Sequence, residues 1–584
     1  MSQLNQGTAL LTAAADRQEL AELNLVASNR AKSAAANEAM LHYSIGAIAL
    51  LPEEAWHTQY ALSLSLHNNA AEAASLTGNF AEAQQYISLV EHHAHSHPDK
   101  TAITVTQIRI HVAEQKMSEA IAYGLQALTR LGLTIPQNPT PADFEQSLAD
   151  TVALIPSAGP NALLELPPMT DLAANAALQI LTVMGPVAFI ANPPLHPMLV
   201  FAQVQHSIRF GNADLSAIAY CAYGLLLNAV LQDYQQGYTF SGLGLELAAR
   251  FNSKAVTVQT DCIAAIFTHH WVNHLNVALP LYETSILAGL EAGDYDFTAW
   301  SYFHQGLTNY LLGTNLTDLE SIVHQNSLAI ASIQQAVQLN SAQVIHQAVQ
   351  NLQGEAADPL VLSGKVIDET VHLKKIQTLN DATALYCLHF CKLQLAYLLG
   401  DYPSAAEQIT LGLPYAPAVV GIAILPVQLL YTVLTQLALY TEQTTAEQAE
   451  TLNTVQAHQA QMQKWADHAA MNCQHRVDLI QAEQYRIAGQ YHLAADAYDD
   501  AIAGAKANGY IQEEALANEL AAKFYLSRDK EKFATVYMQA AYYGYARWGA
   551  KVKTDSLEQQ YIKLLQPILQ SSTPYVGAFN PRIK

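Results

Sequence analysis

Residues 489–509 read Gly-Gln-Tyr-His-Leu-Ala-Ala-Asp-Ala-Tyr-Asp-Asp-Ala-Ile-Ala-Gly-Ala-Lys-Ala-Asn-Gly, and they predict one complete helix with both of its ends. Gly489 suits the left-handed position that follows a preceding helix, because glycine tolerates a positive φ. Small and apolar residues recur at helical spacing from Tyr491 to Ala505, and Asn508-Gly509 ends the helix. A further helix over residues 513–525 and a turn at 528–530 follow. Short turns and alanines at the contact positions are typical of antiparallel helix pairs.

The same unit, a turn followed by an alanine, recurs along the chain. Ala494 and Ala534 occupy equivalent positions 40 residues apart, and Ala83 and Ala120 are 37 residues apart. Another copy lies at residues 400–405. Two helices for every 34 to 47 residues or so is the period of helical repeat proteins. The pattern predicts an all-α fold, a tetratricopeptide-like α-solenoid built as a superhelix of antiparallel helix pairs.

Several short motifs also occur in a fixed order and carry a resemblance. They are Trp465-Ala466, Ala482-Glu483, Gly489, Tyr498-Asp499-Asp500-Ala501-Ile502, Ala517-Asn518-Glu519-Leu520-Ala521-Ala522 and Arg547-Trp548-Gly549-Ala550. Over residues 15–565 the chain resembles the long helical region of the large multidomain kinases of cyanobacteria and other bacteria. Those proteins combine a serine/threonine kinase domain, a STAND-type ATPase, this helical region, a GAF domain and a sensor histidine kinase. The resemblance implies a tetratricopeptide-like region without chemistry of its own, with ATPase and kinase modules as its partners.

The composition restricts the classes of partner. Fifty acidic residues against 28 basic ones give a net charge of −22, which disfavours binding to nucleic-acid phosphates. The sequence lacks a basic run that would suit an anionic membrane surface. Five scattered cysteines predict reduced thiols, and no secretory signal is visible at the N-terminus, so we expect a cytoplasmic protein.

Two long uncharged stretches, residues 172–208 and 408–441, are long enough to span a bilayer. Prolines and amides interrupt both, and neither has flanking Lys/Arg clusters. We therefore expect helices buried inside the protein rather than membrane insertion.

Proline-rich breaks predict the division of the chain. We expect N-terminal helical repeats over 1–135, a proline-rich joint over 136–168, middle repeats over 169–353, C-terminal tetratricopeptide-like repeats over 354–570 and a flexible tail over 571–584. The joint and a second break at 354–364 are the expected hinges. In the first helix, Leu20, Leu23 and Ala27 are expected to face a neighbouring helix.

Two histidine clusters raise the question of metal binding. In a helix, His93 and His97 would lie four residues apart on one face, although histidines also suit a helix C-terminus before a proline. His270 and His274, beside His269 and Trp271, are also four apart on a predicted helix. The HExxH glutamate of zinc proteases is missing here, so packing competes with ligand contact as the interpretation.

Other polar residues receive plainer interpretations. Cys387 and Cys391 lie one turn apart and do not form a CxxC motif, so they are expected to be buried as small apolar residues. The pairs Asp499-Asp500 and Glu513-Glu514 are expected to be solvated charges on helix surfaces.

The sequence contains no P-loop, no protein-kinase motifs and no GxSxG elbow, so we expect neither an enzyme nor a cofactor. The favoured hypothesis is a sensor or scaffold that binds a protein segment or a small effector on a concave face. One alternative is an all-helical metal- or ligand-binding enzyme that uses inner-face histidines, and another is a purely structural spacer. The residues expected to contact a ligand or partner are His269, His270, Trp271, His274, Trp465, Tyr498, Tyr545 and Trp548.

Overall fold

A computed structural model describes residues 13–571 together with Asn5, Gly7, Thr8 and Leu11, and at Ser571 it describes the backbone alone. The predicted flexible tail therefore lies outside the described residues, apart from the backbone of Ser571. Within the described part of the chain every regular element is a helix, and strand-type pairing is limited to an isolated bridge between Pro168 and Asn212. The all-α prediction is confirmed.

The chain divides into two compact units. Unit 1 comprises residues up to Ala264 together with Thr284–Asp294, and unit 2 comprises Ala265–Glu283 together with the chain from Tyr295 onward. This division falls inside the block predicted as middle repeats. The proline-rich segment 136–168 belongs to unit 1 and the break at 354–364 belongs to unit 2. The five-part division of the sequence and the hinge roles stay predictions.

Unit 1 is built from helices that pack on their successors, as antiparallel pairs do. They are α1 (Ala14–Ser33), α2 (Asn37–Ile48), α3 (Ala55–Thr58), α4 (Tyr60–Leu76), α5 (Phe80–His93), α6 (Thr101–Ala113), α7 (Met117–Arg130), α8 (Pro141–Leu154), α9 (Leu172–Ala191), α10 (Leu195–Phe210), α11 (Ser216–Ala229) and α12 (Tyr234–Phe251), with short 3₁₀ turns at Pro98–Lys100 and Pro160–Glu165.

Alanine and glycine set the close approach of these helices. Ala83 and Ala120, the equivalent positions of two predicted repeats, are both completely buried. Between α11 and α12 the backbones come closer still, because a Cβ atom at Gly224 would lie 2.5 Å from the carbonyl oxygen of Gly237. The repeat pattern of the sequence thus corresponds to real contact positions.

The first helix buries a different face from the expected one. Leu20 is buried, but Leu23 is 43% exposed, so the prediction that Leu23 faces a neighbouring helix is wrong. Asn24 and Ser28 are completely buried instead. Ser28 hydrogen-bonds Ser44 of α2 at 2.8 Å, and Asn24 donates to the carbonyl of Leu20 at 3.0 Å. Because these polar groups find partners, they occupy positions that apolar side chains would otherwise take.

The two units meet in sequence within α13 (Lys254–Phe267) and α14 (Ala278–Ala292). The remaining helices belong to unit 2. They are α15 (Tyr295–Leu312), α16 (Leu316–Ser332), α17 (Ala336–Leu352), α18 (Glu369–Thr378), α19 (Ala382–Leu399), α20 (Tyr402–Gly412), α21 (Ile424–Leu439), α22 (Thr445–His468), α23 (Ala470–Ile487), α24 (Tyr491–Ala507), α25 (Ile511–Leu526), α26 (Glu531–Trp548), α27 (Lys551–Gln560) and α28 (Ile562–Ser571), with 3₁₀ turns at His269–Trp271, Leu275–Val277, Leu413–Val419 and Tyr440–Glu442.

The C-terminal repeats have the predicted ends. Gly489 has a φ of 72° and Gly509 a φ of 78°, and α24 runs between them. Asp529 takes the same left-handed conformation, with a φ of 55°, at the turn into α26. Ala494 and Ala534 are completely buried. The solenoid-type helix pairs of this region are therefore confirmed.

Unit 2 also contains contacts that a strict solenoid lacks. In a solenoid each repeat contacts its neighbours alone. Here α27 packs against α17 and α19, which lie well over a hundred residues earlier in the chain. Helix α27 therefore packs onto the middle helices of unit 2 in addition to its neighbours in sequence.

Three helices in the described part of the chain are long and apolar enough to cross a membrane, judged by length and composition. They are Leu172–Ala191, Ala382–Leu399 and Ile424–Glu442, and between 50% and 72% of an apolar 18-residue window in each is buried within the protein. The first lies in one of the uncharged stretches of the sequence and the third overlaps the other, whereas the second was not expected.

Candidate functional site

The segment that contains His269, His270, Trp271 and His274 is not a helix. Helix α13 ends at Phe267, a 3₁₀ turn spans His269–Trp271, and His274 precedes the next 3₁₀ turn. The prediction that His270 and His274 share one face of a helix is therefore wrong.

The side chain of Asn472 in α23 holds the backbone of this segment in its non-helical conformation. Its amide nitrogen donates to the carbonyl oxygens of His270 and Asn273, both at 2.7 Å. Its amide oxygen accepts from the backbone N–H of Leu275 at 3.0 Å and from the hydroxyl of Tyr510 at 2.8 Å. One buried side chain thus satisfies backbone groups that a continuing helix would have paired itself. Nothing in the sequence pattern marked Asn472 for this role.

The aromatic residues of the segment pack in the interior of unit 2. The indole N–H of Trp271 donates to the carbonyl of Gly421 at 3.1 Å, and its ring lies 5.5 Å from that of Trp465. Both tryptophans are buried. The structure thus brings Trp271 and Trp465 together, two residues that the sequence had singled out separately.

Burial keeps the neighbouring histidines neutral. It lowers the pKa of His270 to about 3, with a smaller contribution from His269, while the carbonyls of Ala265 and Gly421 oppose the shift. Burial also lowers the pKa of His269 to about 4 and that of His304, beside His270, to about 3. Uncharged imidazoles in an aromatic environment favour the packing interpretation of this segment.

His274 has both ring nitrogens engaged. Its Nε2 lies 3.0 Å from the carbonyl oxygen of Asn508, so Nε2 carries the hydrogen and donates it. Its Nδ1 accepts from the backbone N–H of Asn276 at 3.2 Å. In this arrangement the ring has no lone pair left for a metal ion. The alternative of a metal enzyme built on His269, His270 and His274 therefore gains no support from this geometry.

A chain of ring contacts leads from this segment to buried charges. The ring of His274 lies 5.4 Å from that of Tyr510, which stacks on His475 at 5.0 Å. The guanidinium of Arg476 lies 5.3 Å from the centre of the Tyr510 ring. His475 and Arg476 then both contact Glu513, one helix pair further along the chain.

Glu513 is the best-defined buried charge. Only 2% of its surface is exposed, and Arg476 donates two parallel hydrogen bonds of 2.9 Å to its carboxylate. Burial alone would raise the pKa of Glu513, but Arg476 and His475 outweigh it and lower the pKa to about 2. Burial lowers the pKa of His475, so a neutral imidazole donates its Nε2–H to the ionised carboxylate. The expectation that Glu513 is a solvated surface charge is wrong.

Glu519 forms a second buried ionic centre. It pairs with Lys523 and Lys553 at 2.8 Å each and accepts from the hydroxyl of Tyr545 at 2.8 Å. Against the effect of burial, the two lysines lower the pKa of Glu519 to about 2. Burial lowers the pKa of Lys553 to about 8, and Glu519 limits that shift. Lys553 also donates to the carbonyl of Leu398, which ties α27 to α19.

Glu483 is the third buried carboxylate. It accepts from the hydroxyl of Tyr498 and pairs with Arg486 at 2.7 Å. We call Glu483, Glu513 and Glu519 with their cationic and tyrosine partners the buried ionic network. The burial of these carboxylates was not predicted from the sequence. Glu519, however, stands in a run of small and apolar residues, which is unusual for a charge on the surface.

The C-terminal aromatics expected to bind a partner are part of this interior. Tyr498 and Tyr545 are completely buried and donate to Glu483 and Glu519. Trp548 is 1% exposed. In this conformation a partner reaches these side chains only if helices of unit 2 separate, and their role in binding stays a prediction.

The histidine cluster of residues 92–97 lies in unit 1 and lacks the helical arrangement that a metal pair of His93 and His97 would need. Helix α5 ends at His93, so His93 and His97 do not share a helical face and that expectation is wrong. The ring of His93 stacks on Trp56 at 4.8 Å, and that of His95 stacks on Tyr60 at 3.8 Å. These rings hold the turn that follows α5 against earlier helices.

Cys387 and Cys391 are buried within α19, and burial raises the pKa of both thiols. The interpretation of these cysteines as small apolar residues is confirmed. All five cysteines of the chain are buried, and none of them forms a disulfide.

Comparison with known proteins relates about half of this chain to a distant relative. No protein-family model matches this chain. It is 19% identical over 359 residues to the hybrid signal transduction histidine kinase G of Dictyostelium discoideum, a match that covers 56% of this chain and 10% of that protein. The chain thus spans about a tenth of the length of this curated relative.

A likeness to a solved structure covers more of the chain but is weak. A chain in the structure entitled "Structure of Naa15/Naa10 bound to HypK-THB" aligns with 95% of this protein and 98% of its own length, at 12% identity and a TM-score of 0.19. That score is too low to support an argument about fold or function. The sequence comparison therefore relates this all-helical chain to a signal-transduction kinase over about half its length, without assigning it to a specific family.

Proposed function

We propose that this chain is a non-catalytic sensor or scaffold module of a signal-transduction ATPase or kinase, which binds a protein segment or a small effector. The observation that carries the proposal is the 359-residue similarity to a hybrid histidine kinase of which the match occupies a tenth. An all-helical chain of this kind suits a regulatory arm beside separate catalytic modules. The neighbouring ATPase and kinase modules are the proposed partners.

The buried ionic network suggests how such a module responds to an effector. An effector shifts a conformational equilibrium only if it binds one arrangement better than the other. Separating helices around Glu513 and Arg476 returns both charges to water, which offsets part of the lost ion-pair attraction. When an apolar core opens, its side chains gain no favourable hydration that would offset the lost contacts. Unit 2 is therefore suited to opening and exposing Trp465, Tyr498 and Tyr545 to a partner.

The test compares two tyrosines with the same chemistry in different units. Tyr545→Phe removes a hydroxyl that holds Glu519 in unit 2, whereas Tyr220→Phe removes one that donates to Asn212 at 2.9 Å in unit 1. Binding to purified STAND-type ATPase and kinase domains from a bacterial multidomain kinase is measured by pull-down and titration. We expect the wild-type chain to bind and Tyr545→Phe to change the affinity several-fold, with Tyr220→Phe unchanged.

Native mass spectrometry of the purified chain, beside a denatured control, tests the small-effector branch of the proposal. A retained small molecule supports a sensor and identifies its effector class. A bare mass together with failure to bind either domain contradicts the proposal and favours a structural spacer. Equal effects of the two tyrosine variants contradict the role of unit 2.

The five buried cysteines, none of which forms a disulfide, support a further proposal, that the module works in the reducing environment of the cytoplasm.

A further inference from the structure

A group of metal-ligating side chains that the proposed function does not use lies between two consecutive helices of unit 2. Glu320 and His324 stand four residues apart on α16, and His346 lies on the adjacent helix α17. Side chains at this spacing on a helix point to the same side. The possible ligand atoms of all three residues lie within 4.8 Å of one another.

The group combines one fixed residue with two adjustable ones. His346 is 3% exposed, and its Nε2 lies 3.2 Å from Oε1 of Glu320. The rings of His324 and His346 have centres 5.5 Å apart at an angle of 64°. His324 is exposed, and the side chain of Glu320 is 34% exposed, so both can rotate toward a common point that solvent also reaches.

We infer that Glu320, His324 and His346 form a binding site for a divalent transition-metal ion of the Zn²⁺ type. Two imidazoles and one carboxylate, with water in the remaining position, make a known ligand set for tetrahedral Zn²⁺. Ligands about 2.1 Å from a tetrahedral ion are roughly 3.4 Å from each other. The observed 3.2 Å between His346 and Glu320 already meets this requirement, and a rotation of the exposed His324 completes it.

The ligand types select the class of metal. Imidazole nitrogen suits Zn²⁺, Cu²⁺ and Ni²⁺, whereas Ca²⁺ and Mg²⁺ require sets of oxygen ligands. The positive charge of Lys365 interacts with the charge of Glu320. The ammonium group of Lys365, however, forms an ion pair with Glu355. The bound ion joins α16 to α17 and stabilises this helix pair.

Metal titration of the full chain tests the inference. Co²⁺ is added first, because a four-coordinate Co²⁺ site has a visible absorption, and Zn²⁺ is then added to displace it. We expect one Co²⁺ bound per chain with that spectrum, its loss on Zn²⁺ addition, and a rise in Tm with Zn²⁺ that EDTA reverses. His324→Ala should lower the affinity more than about tenfold, since it removes a direct ligand.

The control is His97→Ala, which removes another exposed histidine from the cluster of residues 92–97 in unit 1. It should leave the spectrum, the stoichiometry and the Tm shift unchanged. Because His324 is exposed, its variant is expected to fold, and circular dichroism checks this. Unchanged Co²⁺ binding in His324→Ala, loss of binding in His97→Ala, or no binding by the wild-type chain at micromolar metal would each overturn the inference.

Discussion

Two cores of this protein, both made from paired helices, differ in the charge that they bury. Around α5 and α6 in unit 1, the buried residues Ile87, Val90 and Ile103 form an apolar cluster with Trp56 and other partly buried residues packed against it. In unit 2, Glu513 and Arg476 are 2% and 3% exposed, which is close to the exposure of those aliphatic residues. Helix pairing alone therefore does not dictate what fills the interface between helices.

The difference matters for how each core tolerates change. Apolar burial contributes in proportion to the area removed from water, so a small truncation in unit 1 costs a small amount. A buried ion pair depends on both partners, because removal of one leaves an uncompensated charge in a poorly solvated position. Substitutions of similar size should thus have unequal effects in the two units.

Glu513→Gln is expected to have the largest effect. The variant keeps the volume of the side chain but leaves the buried guanidinium of Arg476 without its carboxylate, at a cost of about 3–5 kcal/mol in unfolding free energy. Urea unfolding followed by tryptophan fluorescence measures it well, because four of the five tryptophans lie in unit 2. Glu450→Gln, on an exposed position of α22, is the control and should change little. A loss below about 1 kcal/mol in Glu513→Gln would show that the ion pair is not needed.

Asn472→Leu should come second. It leaves buried carbonyls of His270 and Asn273 and the N–H of Leu275 without their partner. Each such group costs about 1–3 kcal/mol, and partial rearrangement should reduce the total to about 3 kcal/mol. A change in the fluorescence of the nearby Trp271 should accompany the loss, and Asn276→Ala at an exposed position is the control. Wild-type stability and fluorescence in Asn472→Leu would contradict the role of Asn472.

The stability of the protein should depend on pH because His270 is buried in its neutral form. Its pKa is about 3 in the folded protein against an ordinary value of 6.5, so below pH 6.5 the unfolded chain takes up a proton that the folded chain refuses. Unfolding free energy should therefore fall by up to about 1.4 kcal/mol per pH unit from this residue alone between pH 6 and 4. Glu513 acts at lower pH, because its stabilisation is complete above its ordinary pKa of 4.5 and is lost as the pH falls toward 2.

His270→Gln should make the slope of stability against pH shallower between pH 6 and 4. The exposed His492 gives a matched control, since His492→Gln removes an imidazole that solvent reaches in both states. Equal slopes in wild type and His270→Gln would mean that His270 is not held neutral by burial.

Ile87→Val in unit 1 should have the smallest effect. It removes one methylene group from a completely buried position, at a cost of about 1 kcal/mol. Urea unfolding followed by far-ultraviolet circular dichroism detects the transition of either unit. If Ile87→Val lowered the unfolding free energy as much as Glu513→Gln does, the two cores would not differ in their tolerance of substitution.

The sequence predicted local features well. The glycines at 489 and 509, the helix between them and the buried Ala494 and Ala534 all follow from interactions within a few residues, and the structure confirms them. By contrast, the helix predicted through His270 and His274 fails because Asn472, 202 residues later, bonds to the backbone there. A pattern read from one stretch of chain contains no information about such a distant partner.

The charged residues show the same limit. Asp499 and Asp500 are exposed as expected. Glu513 belongs to a similar acidic pair, but it is buried and forms an ion pair with Arg476 of α23. Glu320, His324 and His346 lie within reach of one another because α16 packs on α17, and no sequence pattern connects them.

By itself, then, the sequence determined the all-α class, the helix ends at Gly489 and Gly509 and the alanines at helix contacts, because backbone conformation and helical periodicity are local properties. Only the tertiary structure decided which polar groups are buried, how His274 uses its two nitrogens, and where Glu519 meets Lys553 of α27. Those outcomes depend on pairing between groups far apart in the chain. A buried charge or amide is stable only where such a partner is in place.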